Sequence, residues 1–120
     1  MNYEEMFVTI KNEKEDIQAK NERIIAEKEK HNEKIMHDLF DKIKFLNNHG
    51  FDFYLSREYE NGWRNSTDMR YHWYIRSHKL IGYISGYNID NQGIYTTFFP
   101  GHIIPSFLTI EEFVKNAASC

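Results

Sequence analysis

Six side chains between residues 70 and 87 have the types found at binding surfaces. The strand candidates 70–77 and 80–88 form a hairpin if His78 and Lys79 are its loop. Alternation along these strands then places on one side Arg70, His72, Tyr74, Arg76, Tyr83 and Tyr87. Tyrosine and arginine are enriched at interfaces, because they bury a large area and keep a polar tip for hydrogen bonding. This pattern predicts a surface that binds a protein partner.

The same face has two other interpretations. Tyrosines can stack on bases while arginines contact phosphates, as in proteins that bind single-stranded nucleic acid. Alternatively, the long N-terminal helix covers the face and makes it a second core layer. The 15 basic and 18 acidic residues give a net charge of -3, and the last three strand candidates contain no lysine. We therefore expect a protein partner, and single-stranded nucleic acid is the alternative.

A metal site is conceivable on the first helix but is not expected. Glu33, His37 and Asp41 are spaced by four and would share one helix face, a geometry that can hold a divalent ion. On a helix rich in glutamate and lysine this spacing arises readily by chance. We expect a solvated charged face there, with no bound metal and no cofactor.

Catalytic motifs are absent from the sequence. It has no glycine-rich phosphate loop, no zinc-protease motif and no serine-hydrolase motif, and its single cysteine is Cys120. An enzyme would need His72 or His102 to meet a carboxylate such as Asp52 or Asp68 in a pocket. We therefore expect a protein that is not an enzyme and has no catalytic residues.

The elements that position these residues divide at Gly50. Residues 1–49 contain neither glycine nor proline, which indicates one long helix, whereas all six glycines follow and indicate a sheet. Strand candidates are residues 51–59, 70–77, 80–88 and 94–99, and a capping box at Thr109 and Glu112 starts a helix over 110–118. We predict an α+β fold with a long, partly coiled-coil-like N-terminal helix, a four-stranded antiparallel meander and a short C-terminal helix.

The N-terminal helix has two kinds of apolar pattern. From residue 35 to 46 the apolar spacing of three and four is typical of a helix that covers a sheet. Before that, Ile10, Ile17 and Ile24 are seven apart with polar companions, which is half of a coiled-coil seam. We therefore predict a charged helical arm at residues 1–34 that can form a homodimer or capture a partner, and one α+β domain at residues 35–120.

Composition also bears on location and on the class of function. One terminal cysteine favours a reducing compartment, and the sequence shows neither a secretion leader nor an apolar run of about 18 residues, so we expect a cytoplasmic protein with no membrane partner.

Isoleucine, asparagine, lysine and tyrosine are frequent, which is typical of AT-rich genomes of low-GC bacteria, their phages and plasmids. A small inhibitor or adaptor of the anti-defence or immunity kind is the expected class.

Overall fold

The computed structural model describes residues 2–61, 66–99 and 104–120, and its element order confirms the α+β class. Helix α1 spans Tyr3–Ile43 and continues as a 3-10 helix over Lys44–His49, and helix α2 spans Ile110–Ala118. The sheet has five strands where four are predicted: β1 (Phe53–Tyr59), β2 (Tyr71–Ser77), β3 (Ile84–Asn88), β4 (Gly93–Thr96) and β5 (Ser106–Thr109).

Local signals set both ends of the long helical segment. The Asn2 side chain accepts the backbone N–H of Glu5 at 2.7 Å and caps the first turn. At the other end Gly50 adopts a left-handed conformation, with φ 95°, which a residue with a side chain rarely takes. The backbone N–H of Phe51 then donates to the Leu46 carbonyl at 3.4 Å. The predicted helix stop at Gly50 is confirmed.

The five strands form an antiparallel meander in the order β1-β2-β3-β4-β5. The ladder between β1 and β2 runs over seven residue pairs, from Phe53 opposite Ser77 to Tyr59 opposite Tyr71. Between β2 and β3 only one pair forms, Ile75 opposite Ile84. These two strands therefore diverge, and among the described residues no strand pairs with the N-terminal half of β2 on that side.

The turn between β2 and β3 is wider than predicted. A two-residue loop at 78–79 is wrong, because β3 begins only at Ile84, opposite Ile75. The Ser77 hydroxyl accepts the backbone N–H of Leu80 at 3.0 Å, so the turn continues past the predicted loop. The register across this hairpin consequently differs from the predicted one.

Strand β5 is absent from the prediction. It pairs with β4 over its whole length, from Gly93 opposite Thr109 to Thr96 opposite Ser106. Thr109 ends this strand and also caps α2, since its hydroxyl accepts the backbone N–H of Glu112 at 3.1 Å. The predicted cap at Thr109 and the predicted bounds of α2 are therefore confirmed.

Both helices pack against one face of the sheet, which we call the covered face. Phe113 of α2 packs on the Phe53 ring of β1, with ring centroids 6.0 Å apart. The core there joins α1, α2 and the central strands, and its fully buried members include Met36, Leu39, Ile43, Ile75, Ile84, Ile94 and Phe113. The helix that the sequence predicts over residues 35–46 is thus the one that builds the core.

Side chains of helix α1 accept the backbone hydrogen bonds that β2 does not form with β3. The Asn32 side chain, 8% exposed, accepts the backbone N–H of Trp73 at 2.8 Å. The Glu29 carboxylate accepts the N–H groups of Arg70 and Tyr71 at 3.0 and 3.1 Å. Since buried backbone N–H groups need partners, these two polar side chains replace strand hydrogen bonds where β2 and β3 diverge.

The first part of α1 projects from the domain. Residues 2–20 are all exposed, and burial along the helix begins at Ile25, earlier than residue 34, at which the predicted arm ends. Lys28 already contacts the loop before β2, because its amine donates to the Thr67 carbonyl at 3.0 Å. Within the described residues, neither helix combines the length and apolar content needed to cross a membrane.

Candidate functional site

The face of the sheet opposite the helices carries four of the six predicted binding residues, His72, Tyr74, Arg76 and Tyr83. No helix or strand of the described residues lies over it, so the interpretation in which α1 covers this face is wrong. We call this surface the open face. Its β1 and β2 half, extended by the residue before β3, consists of Tyr54, Glu58, His72, Tyr74, Arg76 and Tyr83.

Arg76 is at the centre of the open face and is paired with Glu58. Its Nε and one terminal nitrogen donate to the two carboxylate oxygens at 2.5 and 2.6 Å, which is a bidentate ion pair. The two side chains are 35% and 29% exposed. Hydrogen bonding from Arg76 holds the pKa of Glu58 below its usual value, against the opposing effect of burial. The guanidinium charge is thus already neutralised within the chain.

Two tyrosine rings flank this guanidinium. The guanidinium carbon Cζ of Arg76 lies 5.3 Å from the Tyr74 ring centroid and 5.4 Å from the Tyr83 ring centroid. The two rings meet edge to face, with centroids 5.6 Å apart and planes at 85°. Cation–π and edge-to-face contacts both favour this arrangement, so the three side chains hold one another in place.

Glu60 gives the neighbouring part of the open face a second acidic partner. The Tyr74 hydroxyl donates to the Glu60 carboxylate. Burial of the Tyr74 side chain raises its pKa, and this hydrogen bond raises it further. The Nε2 atom of His72 lies 3.5 Å from the other oxygen of the same carboxylate. The same Nε2 atom lies 3.1 Å from the Met69 backbone carbonyl, so the polar tips of both Tyr74 and His72 have partners within the chain.

The β4 and β5 half of the open face is aromatic and uncharged. The rings of Tyr95 and Phe107 meet with centroids 5.0 Å apart, and the two residues are 45% and 44% exposed. Phe107 lies directly over Gly93, where a β-carbon would come within 1.7 Å of its ring. A side chain at this position would therefore displace the exposed Phe107 ring.

The predicted position of Tyr87 on this face is wrong. A bulge between Ile84 and Gly86 adds one residue to β3, and the alternation after it is reversed. Tyr87 is therefore 6% exposed, belongs to the core cluster, and accepts a hydrogen bond from the Lys42 amine at 2.9 Å. This hydrogen bond also raises the pKa of Lys42.

Arg70 lies apart from the tyrosine cluster. It precedes β2 and is exposed. With Ser66 it lines one wall of a groove whose other wall is α1, with Ile10, Ile17 and Ile25. The predicted self-association residues Ile10 and Ile17 are 56% and 61% exposed, whereas Ile24 is half-buried. The structure thus assigns Arg70 to the neighbourhood of the arm.

The helix face considered for a metal ion is used differently. The Nδ1 atom of His37 lies 2.8 Å from the Glu33 backbone carbonyl, and its ring packs edge-on against Trp73 at 4.7 Å. Asp41 pairs with Lys44 at 3.3 Å. In the part of the chain that the structure describes, no group of three or more histidine, cysteine and acidic side chains has the arrangement to hold a metal.

The structure does not bring His72 together with Asp52, one of the carboxylates considered as its catalytic partner. The Asp52 carboxylate accepts hydrogen bonds from the Ser77 hydroxyl and, at 3.1 Å, from the His78 backbone N–H. Hydrogen bonding from Ser77 lowers the pKa of Asp52. In the strand register His72 lies opposite Glu58, six residues along β1 from Asp52, which is about 20 Å at 3.4 Å per residue. His102 lies outside the described residues.

Sequence reasoning missed the acidic and apolar members of this surface. Glu58 and Glu60 become visible as partners only once the register of β1 against β2 is known, because the pairs are far apart along the chain. Tyr54 stacks on His78 with ring centroids 4.4 Å apart, and alternation within β1 could have placed it on the open face. Phe107 lies on the strand that was not predicted.

Comparisons with protein-family models, with curated proteins and with solved structures return no match to this chain. The residues of the open face and of the arm are therefore what a functional interpretation must use.

Proposed function

We propose that the chain is a non-enzymatic protein-binding protein whose open face docks a protein partner. The observation that carries this proposal is the Arg76 guanidinium, paired bidentately with Glu58 and flanked by the rings of Tyr74 and Tyr83. Such a cluster is ordered before any partner arrives. Binding therefore costs little side-chain entropy, which is the property that makes tyrosine and arginine effective interface anchors.

The charge on the open face favours a protein partner over nucleic acid. A phosphate-binding surface needs cations that are free to meet the backbone. Here Arg76 already faces Glu58, and His72 lies close to Glu60. An approaching phosphate would meet these two carboxylates beside the already paired Arg76 guanidinium. A near-neutral aromatic surface, in contrast, suits the centre of a protein interface, where charged residues are depleted.

The mode of action that fits is that of an inhibitor or adaptor of a larger macromolecular machine. The chain has 120 residues, and its described residues include no group that could hold a metal ion. Occupying a partner's surface is an effect that the open face can have without any chemistry. Its composition, typical of AT-rich genomes, supports an anti-defence or immunity role for a phage or mobile element, acting in the cytoplasm.

Two substitutions on the open face test the proposal. Tyr74→Ala with Tyr83→Ala removes both rings around Arg76, and Tyr59→Ala is the matched control, since Tyr59 is 58% exposed and alternation along β1 places it on the side opposite Tyr54 and Glu58. Each protein is immobilised and presented to a lysate of the source cell, and captured proteins are quantified by mass spectrometry. We expect a partner that the wild type and Tyr59→Ala retain and the double variant loses at least tenfold, as is typical for interface anchors.

Two results would contradict this function. One is a set of captured proteins that is the same for all three chains. The other is tight binding of short single-stranded oligonucleotides that weakens steeply with salt and is lost in the double variant, which would favour the nucleic-acid alternative.

A further inference from the structure

The arm leaves a row of apolar side chains without a partner in the monomer. Its first turns expose Tyr3, Met6 and Phe7, which are 87%, 45% and 65% exposed. Ile10 and Ile17 follow at 56% and 61%. Repetition at seven residues drifts only about 20° per repeat around a helix, so Ile10, Ile17 and Ile24 form one stripe. A contiguous apolar stripe of this kind indicates an interaction surface.

We propose that this stripe binds a second copy of the chain, with two arms pairing antiparallel about Ile17. With the twofold axis at Ile17, each Ile17 meets its counterpart, and Ile10 of one copy is level with Ile24 of the other. The spacing of seven on both sides of Ile17 makes the stripe complementary to itself in this orientation. The arm of one copy then fills the seam that the other leaves open.

Charges beside the stripe agree with this orientation. Glu13 and Lys20 are seven apart and lie on the same flank of the stripe, and antiparallel pairing brings Glu13 of one copy next to Lys20 of the other, twice per dimer. On the opposite flank Lys14 comes next to the neutral Asn21. Parallel pairing would instead place Lys14 against its own counterpart within the seam, which is unfavourable.

The groove between the arm and the loop before β2 provides room for the end of the second arm. It is lined by Ile17 and Ile25 on α1 and by Ser66 and Arg70 on the loop. In the proposed register, Phe7 of the second copy is level with Glu27 and enters this groove. The acidic first turn of that copy, with Glu4 and Glu5, then lies at the end of the groove that carries Arg70.

Charge exchange tests the pairing and its direction together. The full chain is measured by sedimentation equilibrium, and we expect a monomer–dimer equilibrium. Glu13→Lys should raise the dissociation constant roughly tenfold, because two attractive contacts become repulsive. Combining it with Lys20→Glu should restore the wild-type constant to within about threefold. The matched control Glu15→Lys changes the charge equally on the opposite side of the helix and should have less than about a twofold effect.

Cysteine crosslinking gives an independent measure of the register. In a Cys120→Ser background, which removes the exposed native thiol, Ile17→Cys should crosslink to itself with a short bis-maleimide. Ile10→Cys should not, but a mixture of Ile10→Cys and Ile24→Cys proteins should give crosslinked dimers.

Three outcomes would overturn the proposal. They are a strictly monomeric wild type up to about 0.1 mM, self-crosslinking of Ile10→Cys, which indicates parallel arms, and equal effects of Glu13→Lys and Glu15→Lys. Circular dichroism of each variant confirms that the helix and the sheet are still folded.

Discussion

The two faces of the sheet differ in the partners of their polar side chains. Under the helices, the polar side chain of Asn32 has a single fixed task, which is to accept the Trp73 backbone N–H. On the open face, polar side chains pair with one another across the strands, as Arg76 does with Glu58. Both faces have partners for their polar groups, but only the open face keeps these partners at the surface, where another molecule can contact them.

This difference predicts where substitutions change stability and where they change binding. The covered face contains the fully buried apolar side chains, so removal of atoms there leaves cavities. The open face contains half-exposed rings and a partly exposed ion pair, which contribute less to folding. The arm lies on neither face and should contribute least.

Among single substitutions, the largest loss of stability is expected for Leu39→Ala on the covered face. Leu39 is fully buried, and the substitution should lower the free energy of unfolding by about 2–5 kcal/mol. Urea unfolding measures this, and the matched control is Ile81→Ala, at a residue that is 98% exposed and should change stability by less than about 0.5 kcal/mol. Similar costs for the two variants would contradict the assignment of the core to the covered face.

The helical part of this comparison could be predicted from the sequence, because its signals are local. The three-and-four spacing that includes Met36, Leu39 and Ile43 identifies the covering helix, and Gly50 and Thr109 identify helix ends from single residues. Strand β5 could not be predicted in the same way. It has four residues, and its formation depends on pairing with β4.

The open face could be predicted only in part, for a related reason. Alternation within one strand suffices to place Tyr74 and Arg76 together. Tyr87 was misplaced because the bulge before Gly86 reverses the alternation. Gly86 itself was a local signal that the prediction did not use, since a glycine inside a strand often marks a bulge. The acidic partner Glu58 lies on another strand, so its role depends on tertiary register.

The second largest effect is expected for Asn32→Leu, which tests the polar contact under the helix. Leucine keeps the approximate volume but leaves the Trp73 N–H buried without an acceptor, at a cost of about 1–3 kcal/mol in the free energy of unfolding. Asn32→Asp keeps the acceptor oxygen and should cost less. Hydrogen exchange of the Trp73 amide should accelerate in Asn32→Leu beyond what the global loss of stability explains. An unchanged stability would mean that this hydrogen bond is not formed.

A smaller, pH-dependent effect is expected for Glu58→Gln on the open face. Because the pKa of Glu58 is lower in the folded chain than its usual value of 4.5, its contribution is fully present above that value and is lost as the pH falls through the lowered pKa. At neutral pH the cost should stay below about 1 kcal/mol, since the pair is partly exposed.

Urea unfolding of the wild type and Glu58→Gln between neutral pH and about pH 2.5 measures this dependence. The variant should lose less stability on acidification than the wild type. Arg76→Gln should flatten the same part of the curve, because the hydrogen bond that lowers the pKa of Glu58 is removed. Parallel curves for all three proteins would show that the ion pair does not contribute to folding.

The smallest effect on folding is expected from removal of residues 2–20, because all of them are exposed and the buried part of α1 begins at Ile25. At concentrations below the dissociation constant of any dimer, this deletion should change the free energy of unfolding by less than about 0.5 kcal/mol.

Deletion of residues 2–34 is the contrasting case, because it also removes Asn32 and Glu29 and leaves three backbone N–H groups before and within β2 without acceptors. That longer deletion should unfold the domain or destabilise it by several kcal/mol. If both deletions cost the same, the arm and the docked helix would form one structural unit, and the boundary that the structure indicates near residue 20 would be wrong.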